Sequence, residues 1–258
     1  MAKRKFNIVL IGSGNVATHM GLALKKSGHS IEQVYSRTGA SARALAVKLR
    51  SQAVTDVNRL TNKADIYIIS VKDDALASLL KHLKKKKTLV VHTSGSLPMN
   101  ILKGISPFYG VIYPLQTLSK GKMTDFANVP LCIEANKKSQ EKKLVLLAKT
   151  ISRQVQVVSS EKRKALHLAA VFAGNFSNHM YTLADRLLRK HKLSFNLLLP
   201  LIQETSDKIK NNSPVLMQTG PAIRGDKTIM RTHLAMLSKN KDLQKLYKSI
   251  SDSIVKNK

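Results

Sequence analysis

The feature that most constrains this chain is an apolar run near its start that breaks at a glycine turn. The run Asn7-Ile8-Val9-Leu10-Ile11 has the length and composition of a strand, and Gly12-Ser13-Gly14 follows it. Apolar residues then recur at helix spacing from Val16 onward. A strand, a turn and a helix carrying Gly-x-Gly-x-x-Ala form the pattern of dinucleotide-binding domains.

Each small residue of this pattern has a physical role. Gly12 permits a tight turn, Gly14 lets a pyrophosphate approach the backbone, and Ala17 allows the helix to pack close to the strand. The N–H groups at the start of the helix then face the phosphates. The predicted cofactor-binding residues of this turn are Gly12, Ser13, Gly14, Asn15, Val16 and Ala17. The alternative is a turn with a purely structural role.

The end of the second predicted strand, 31–35, indicates which cofactor binds. NAD sites place an acidic residue there to bind the ribose 2′-OH, whereas this chain has Ser36-Arg37-Thr38 and no acid between Glu32 and Asp56. A guanidinium flanked by two hydroxyls suits a 2′-phosphate. The sequence therefore favours NADP(H), the alternative being that Arg37 is a solvated loop residue.

Strands and helices alternate up to residue 158. Further strands are predicted at 64–71, 88–92, 109–113, 131–134 and 155–158, with helices at 40–49, 75–83 and 140–152. This alternation predicts an α/β fold, a doubly wound and mostly parallel Rossmann sheet over residues 1–158. Such sheets bind ligands at the carboxyl ends of their strands. The residues expected there are Val71-Lys72 for the cofactor, and Thr93, Ser94 and Gln116 for the substrate.

The remaining residues, 159–258, predict a smaller all-helical domain. Residues 160–190 lack proline and predict one helix of about 45 Å. Ser194 is placed to cap a second helix, and further helices are predicted at 227–237 and from residue 242.

A polar stripe runs along the long helix. At about 100° per residue, His167, Asn175 and Asn178 share one face. Buried polar groups need partners, so the stripe either faces the substrate or forms a satisfied structural cluster. On the functional reading, His167 donates a proton and the two amides orient the substrate. Arg224, in a polar loop, would bind an anionic substrate or pair with Asp226, which can also cap the next helix.

Composition limits the other function classes. The chain of 258 residues has one cysteine, Cys132, which excludes a disulfide framework and a thiolate metal cluster, and no metal site is expected. The basic residues 1–5 lack the apolar stretch of a signal peptide, and no window has the length of a membrane span, so a soluble, cytoplasmic protein is expected. The formal charge of +29 is compatible with binding to a nucleic acid. The lysines are dispersed, however, and the sequence has no nucleic-acid-binding motif, so specific nucleic-acid binding is the less favoured alternative.

Several of these motifs together resemble a known family. They are residues 12–17, 34–38, 70–73, 92–96, 167–170 and 219–226. They are similar to uncharacterised Rossmann-like NADP oxidoreductases with a helical C-terminal domain of unknown function, which are in turn similar to pyrroline-5-carboxylate reductase, ketopantoate reductase and 6-phosphogluconate-type hydroxyacid dehydrogenases. The resemblance implies the fold, NADP(H), a small-molecule substrate and a homodimer through the helical domain.

One departure from the hydroxyacid dehydrogenases affects the mechanism. Those enzymes carry a Lys four residues before an Asn on the long helix, whereas Val171 precedes Asn175 here. The favoured hypothesis is an NADP(H)-dependent oxidoreductase that reduces a small C=O or C=N substrate between the two domains. The alternative is an NADP(H)-binding sensor or scaffold without turnover.

Overall fold

The structure, a computed structural model, describes residues 5–119 and 121–257. Residues 1–4, which are part of the basic segment at the start of the chain, lie outside the described residues. The first residue of the predicted domain 1–158 and the last residue of the predicted domain 159–258 therefore also lie outside them. The chain forms two compact units, Met1–His179 and Met180–Lys258, whereas the sequence places the boundary after residue 158. The first unit therefore takes in the first part of the long helical segment as well as the sheet.

The first unit contains an eight-stranded sheet in the order β3-β2-β1-β4-β5-β6-β7-β8. All neighbouring strands are parallel except β6 and β7, which confirms the predicted doubly wound, mostly parallel fold. The strands are β1 Asn7–Ile11, β2 Ser30–Tyr35, β3 Gln52–Val54, β4 Ile66–Ile69, β5 Leu89–His92, β6 Tyr109–Pro114, β7 Leu131–Ala135 and β8 Val155–Val157. The sequence interpretation missed only β3, a three-residue strand.

Side chains of alternate residues pack on opposite faces of this sheet. Ile8 and Leu10 of β1 belong to one buried cluster, whereas Val9 and Ile11 belong to the other. Since successive side chains of a strand point to opposite faces, an unbroken apolar strand needs cover on both. The helices that supply it are α1 Asn15–Lys26, α2 Gly39–Leu49, α3 Asp73–His82 and α4 Lys138–Lys149.

The segment predicted as one long helix is helical throughout, but its geometry changes part-way. Helix α5, Ser160–Ala170, leads into a π-helical stretch, Val171–Phe176, and then into α6, Ser177–Lys190. A π-helix adds residues to each turn, so a face drawn at a constant 100° per residue does not continue across it. His167 and Asn178 lie on opposite sides of this stretch.

The C-terminal part is all-helical, as predicted. Its further helices are α7 Leu199–Lys208, α8 Pro221–Arg224, α9 Lys227–Met236 and α10 Lys241–Lys256. Both predicted caps are confirmed, because the Ser194 side chain accepts a hydrogen bond from Asn196 N and that of Asp226 accepts one from Ile229 N. Within residues 5–119 and 121–257, no helix is long and apolar enough to cross a membrane.

Candidate active site

The glycine turn after β1 has the geometry that a dinucleotide needs. Gly12 has a φ of +123°, and an added Cβ would lie 2.1 Å from the Ser70 carbonyl oxygen. At Gly14, by contrast, an added Cβ would meet no atom within 4 Å. Helix α1 starts there with no acidic residue in its first turn and, among described residues, no side-chain cap. Open space beside unsatisfied helix N–H groups fits a pyrophosphate.

The end of β2 is joined to this turn. Ser13 Oγ donates a hydrogen bond of 3.0 Å to Ser36 Oγ, while Arg37 and Thr38 are exposed. The guanidinium of Arg43, one turn into α2, lies close enough that its Nη1 would be 3.2 Å from a Cβ at Gly39. Arg43 is not among the residues selected from the sequence, but the helix geometry brings it next to Gly39, which directly follows the predicted phosphate site.

A cavity of about 980 Å³ lies beside the carboxyl ends of β1, β4, β5 and β6, and we call it the strand-end cavity. All of its lining residues belong to the first compact unit. The structure brings together ten of the residues selected from the sequence along its wall: Gly14, Asn15, Val16, Val71, Lys72, Thr93, Ser94, Gln116, His167 and Asn175.

The other selected residues lie elsewhere in the described chain. Gly12 and Ala17 are buried beneath the turn. Ser13 lies in the turn and donates to Ser36, and Ser36, Arg37 and Thr38 follow β2. Asn178 is an exposed residue of α6 and does not line the strand-end cavity. Arg224 is the exposed last residue of α8 in the second unit. Catalytic and substrate-binding roles for these two residues stay predictions.

His167 meets a tyrosine that the sequence reasoning did not select. Tyr113 Oη and His167 Nδ1 are 3.0 Å apart, and the two rings make an edge contact at a centroid distance of 5.8 Å. An added Cβ at Gly95 would lie 2.7 Å from His167 Nδ1 and 2.9 Å from Tyr113 Cζ. Both rings therefore pack against the bare backbone of Gly95, where no larger residue fits.

A buried ion pair fixes α5 one turn before His167. The Arg163 side chain is 0% exposed, and its Nη1 lies 2.6 Å from Glu134 Oε2 on β7. Its Nη2 donates to the Leu97 carbonyl oxygen at 2.6 Å, so the loop that follows β5 is bound to the same guanidinium. Ser160 completes the network by donating its N–H and hydroxyl to Glu134. Arg163 thus joins the helix of His167 to the loop that contains Gly95.

The loop after β5 is also fixed from the β4 side. Ser94 Oγ donates a 2.9 Å hydrogen bond to Asp73 Oδ2, and Ser96 Oγ donates to the same oxygen. Burial, reinforced by the charge of Arg163, lowers the pKa of His92 to about 4, so this imidazole is neutral. Its Nδ1 accepts from Ser94 N–H and its Nε2 donates to the Pro98 carbonyl oxygen. His92 therefore shapes the loop and makes no proton available to the cavity.

The sequence contained only a weak signal for these additional residues. Tyr113 stands inside an apolar strand, where an aromatic residue is typical of a core. Arg163 stands between Lys162 and Lys164 on a helix rich in exposed cations. One signal was available for Arg163, since it lies four positions before His167 and residues at that spacing share a helix face.

Comparison with known proteins identifies the family. A Rossmann-like domain matches residues 1–115, and a domain of unknown function, DUF2520, matches residues 129–254. The solved structure of the putative NADP oxidoreductase BF3122 from Bacteroides fragilis is 45% identical in sequence. Each chain is covered to 98%, with a TM-score of 0.90. The chain belongs to this family of Rossmann-like proteins with a DUF2520 domain.

More distant similarities of this DUF2520 protein concern the fold alone. A 1-pyrroline-5-carboxylate reductase from Streptococcus pyogenes is 14% identical, with a TM-score of 0.64 over 98% of this chain and 99% of that one. An imine reductase from Myxococcus stipitatus in complex with NADP+ is 18% identical, with a TM-score of 0.63 over 97% and 92%. No curated protein matches the chain.

Proposed function

We propose that this DUF2520 protein is an NADP(H)-dependent oxidoreductase that reduces a small C=O or C=N compound. The observation that carries the proposal is the strand-end cavity, which joins an open dinucleotide turn at Gly14 to the paired side chains of His167 and Tyr113. A nucleotide site beside a titratable pair is the arrangement that reduction with proton transfer requires. The names of the Bacteroides relative and of the imine reductase agree with this chemistry.

The residues of the glycine turn and of the β2 end fit the cofactor. Gly14 and the start of α1 would hold the pyrophosphate, while Ser36, Arg37 and Thr38 would hold the 2′-phosphate, with Arg43 within reach of the same helix end. When bound, a reduced nicotinamide supplies a hydride to the substrate carbon. The protein then has to orient the substrate, exclude water and deliver a proton.

We assign the remaining roles to the residues beyond the turn. His167 donates the proton, and Asn175 and Asn178 orient the substrate oxygen or nitrogen. Val71 and Lys72 border the cofactor, and Thr93, Ser94, Gln116 and Arg224 bind the substrate. Positions on the cavity wall support these roles for every residue except Asn178 and Arg224.

The deciding experiment is a screen of NADPH oxidation against keto acids, aldehydes, ketones and imines, with His167→Asn as the matched control. We expect at least one compound to be reduced, and we expect the variant to be slower by about 10²-fold or more because it lacks the proton donor. Tight NADPH binding without turnover of any compound would instead favour the sensor or scaffold function.

We also propose that a second copy of the chain covers the helical unit. In the described residues of 180–258, only Ala222 and Ser251 are buried, whereas large apolar side chains such as Leu197, Leu201 and Leu216 are more than half exposed. A helical unit with so little core of its own needs a partner surface. Light scattering on the full chain should give twice the monomer mass of 28.5 kDa, and a monomer at micromolar concentration would contradict it.

A further inference from the structure

We propose that Tyr113 is a positioning residue that acts through His167, and this inference rests on the proposed function. Its phenol holds the imidazole with the ring proton on Nε2. When Nε2 protonates the substrate, the phenol of Tyr113 donates its own proton to Nδ1. The residue pair, rather than the histidine alone, is then the acid of the reaction.

The first step of the argument is the packing of the pair. Tyr113 Oη lies 3.0 Å from His167 Nδ1, and the backbone of Gly95 lies at the same edge of the imidazole, where an added Cβ would be 2.7 Å from Nδ1. The Nδ1 edge is therefore enclosed by protein. His167 lines the strand-end cavity, and its Nε2 has no hydrogen-bonding partner among the described residues. Only Nε2 is left for a ligand.

The second step concerns which of the two groups donates. Burial raises the pKa of the Tyr113 phenol, so its oxygen keeps its proton at neutral pH. A buried O–H without an acceptor is costly, and the described residues offer this one only His167 Nδ1. Nδ1 therefore accepts, and a neutral imidazole then carries its hydrogen on Nε2.

The third step is the proton balance. Hydride addition to the carbon of a C=O or uncharged C=N group leaves the electron pair on oxygen or nitrogen, which takes the Nε2 proton. The Nε2–H bond breaks and the O–H or N–H bond of the product forms. A neutral imidazole that only lost this proton would become an anion, so the Tyr113 proton moves to Nδ1. The imidazole stays neutral and Tyr113 becomes a phenolate.

The last step is the stabilisation of that phenolate. Burial and the neighbouring Cys132 raise the pKa of Tyr113, and the positive charge of the buried Arg163 partly offsets that rise. Arg163 holds its position through Glu134 and the Leu97 carbonyl, so its charge is fixed before the reaction begins. A fixed charge in a buried site stabilises developing charge without reorganisation.

The test uses the full chain with ¹⁵N-labelled histidine. Two-bond ¹⁵N–¹H spectra at about pH 9, where ordinary imidazoles are neutral, report which ring nitrogen carries the proton. His167→Asn identifies the His167 signals among the eight histidines. We expect the Nε2–H tautomer in the wild type and a shift toward a mixture of tautomers in Tyr113→Phe.

The chain contains a matched control for this variant. Tyr247 Oη lies 2.9 Å from His233 Nδ1 with the rings at 90°, so Tyr247→Phe deletes the same kind of bond outside the strand-end cavity. We expect the His167 signals to be unchanged in that variant. An Nδ1–H tautomer in the wild type, or no change in Tyr113→Phe, would overturn the proposal.

The kinetic part is read separately on a compound found in the reductase screen. Tyr113→Phe should lower kcat by about 10-fold or more and leave KM within about twofold, while Tyr247→Phe should change neither. Equal kcat in the wild type and Tyr113→Phe would also overturn the proposal. If no compound is reduced, the proposed function fails, and the tautomer spectra still decide whether Tyr113 positions His167.

Discussion

Replacing Arg163 by Leu removes the charge that joins α5 to β7 and to the loop after β5. The arginine side chain is 0% exposed and that of Glu134 is 14% exposed, so little water can replace the lost partner. Leucine retains most of the aliphatic bulk, which limits the cavity that the substitution leaves. The remaining defects are a carboxylate without its counter-charge and a Leu97 carbonyl without its donor.

The magnitude follows from these defects. Breaking a buried ion pair by removing one partner costs about 3–5 kcal/mol, because the other charge stays buried. Ser160 still donates two hydrogen bonds to Glu134, so we expect about 3 kcal/mol, the lower end. A surface pair serves as the comparison. Arg189 and Asp185 are 76% and 29% exposed, and Arg189→Leu should cost about 0.5 kcal/mol or less.

Urea unfolding followed by far-UV circular dichroism measures the difference. With a slope of about 3 kcal/mol per molar urea, Arg163→Leu should lower the unfolding midpoint by about 1 M and Arg189→Leu by about 0.2 M or less. Adding Glu134→Gln to Arg163→Leu should restore part of the loss, since it removes the uncompensated charge. Equal midpoints for the two single variants, or no recovery in the double variant, would refute the reasoning.

Three further predictions concern the cofactor site and His92. Arg37→Ala should weaken NADPH binding while leaving NADH binding nearly unchanged, and calorimetry showing equal loss for both nucleotides would count against a 2′-phosphate contact. Gly14→Val should abolish binding of both nucleotides, because its side chain would fill the open space beside the turn, and unchanged affinity would contradict the site. The pKa of His92 is about 4 when folded and about 6.5 when unfolded, so the unfolded state binds the proton first. Stability is then complete above about pH 6.5 and falls by about 3 kcal/mol as the pH drops to 4, and His92→Gln should flatten this part of the profile.

The sheet could be predicted because strands that are buried on both faces have a recognisable sequence pattern. Every residue of β4, Ile66–Ile69, is buried, and such a strand reads as an unbroken apolar run. Strand β3 escaped prediction because its three residues pair with β2 alone at the sheet edge and begin with an exposed glutamine. A strand is recognised in the sequence by the apolar residues that it buries, and a short strand at the edge of a sheet buries few of them.

The nucleotide half of the candidate site could also be predicted, since its requirements are local. The tight turn at Gly12 and the room for a close approach at Gly14 are properties of consecutive residues, and the structure has a positive φ at Gly12 and open space beside Gly14. The proton-donating half depends on residues 54 positions apart, Tyr113 and His167, which only the folded sheet brings together. A period of 100° per residue does not hold where the helix becomes π-helical, and the prediction that Asn178 shares a face with His167 depends on that period.

Gly95 shows how one residue can combine a local requirement of the backbone with a contact between residues that are distant in the chain. In the sequence it is one of several small residues after β5, and it follows Ser94, which is predicted to bind the substrate. In the structure Ser94 is also bonded to Asp73, whereas the glycine supplies the surface on which Tyr113 and His167 both pack. Any side chain there would displace one ring from the other and break the hydrogen bond between them. The absence of a side chain at residue 95 therefore does as much to form the candidate proton-donating pair as the presence of the two rings.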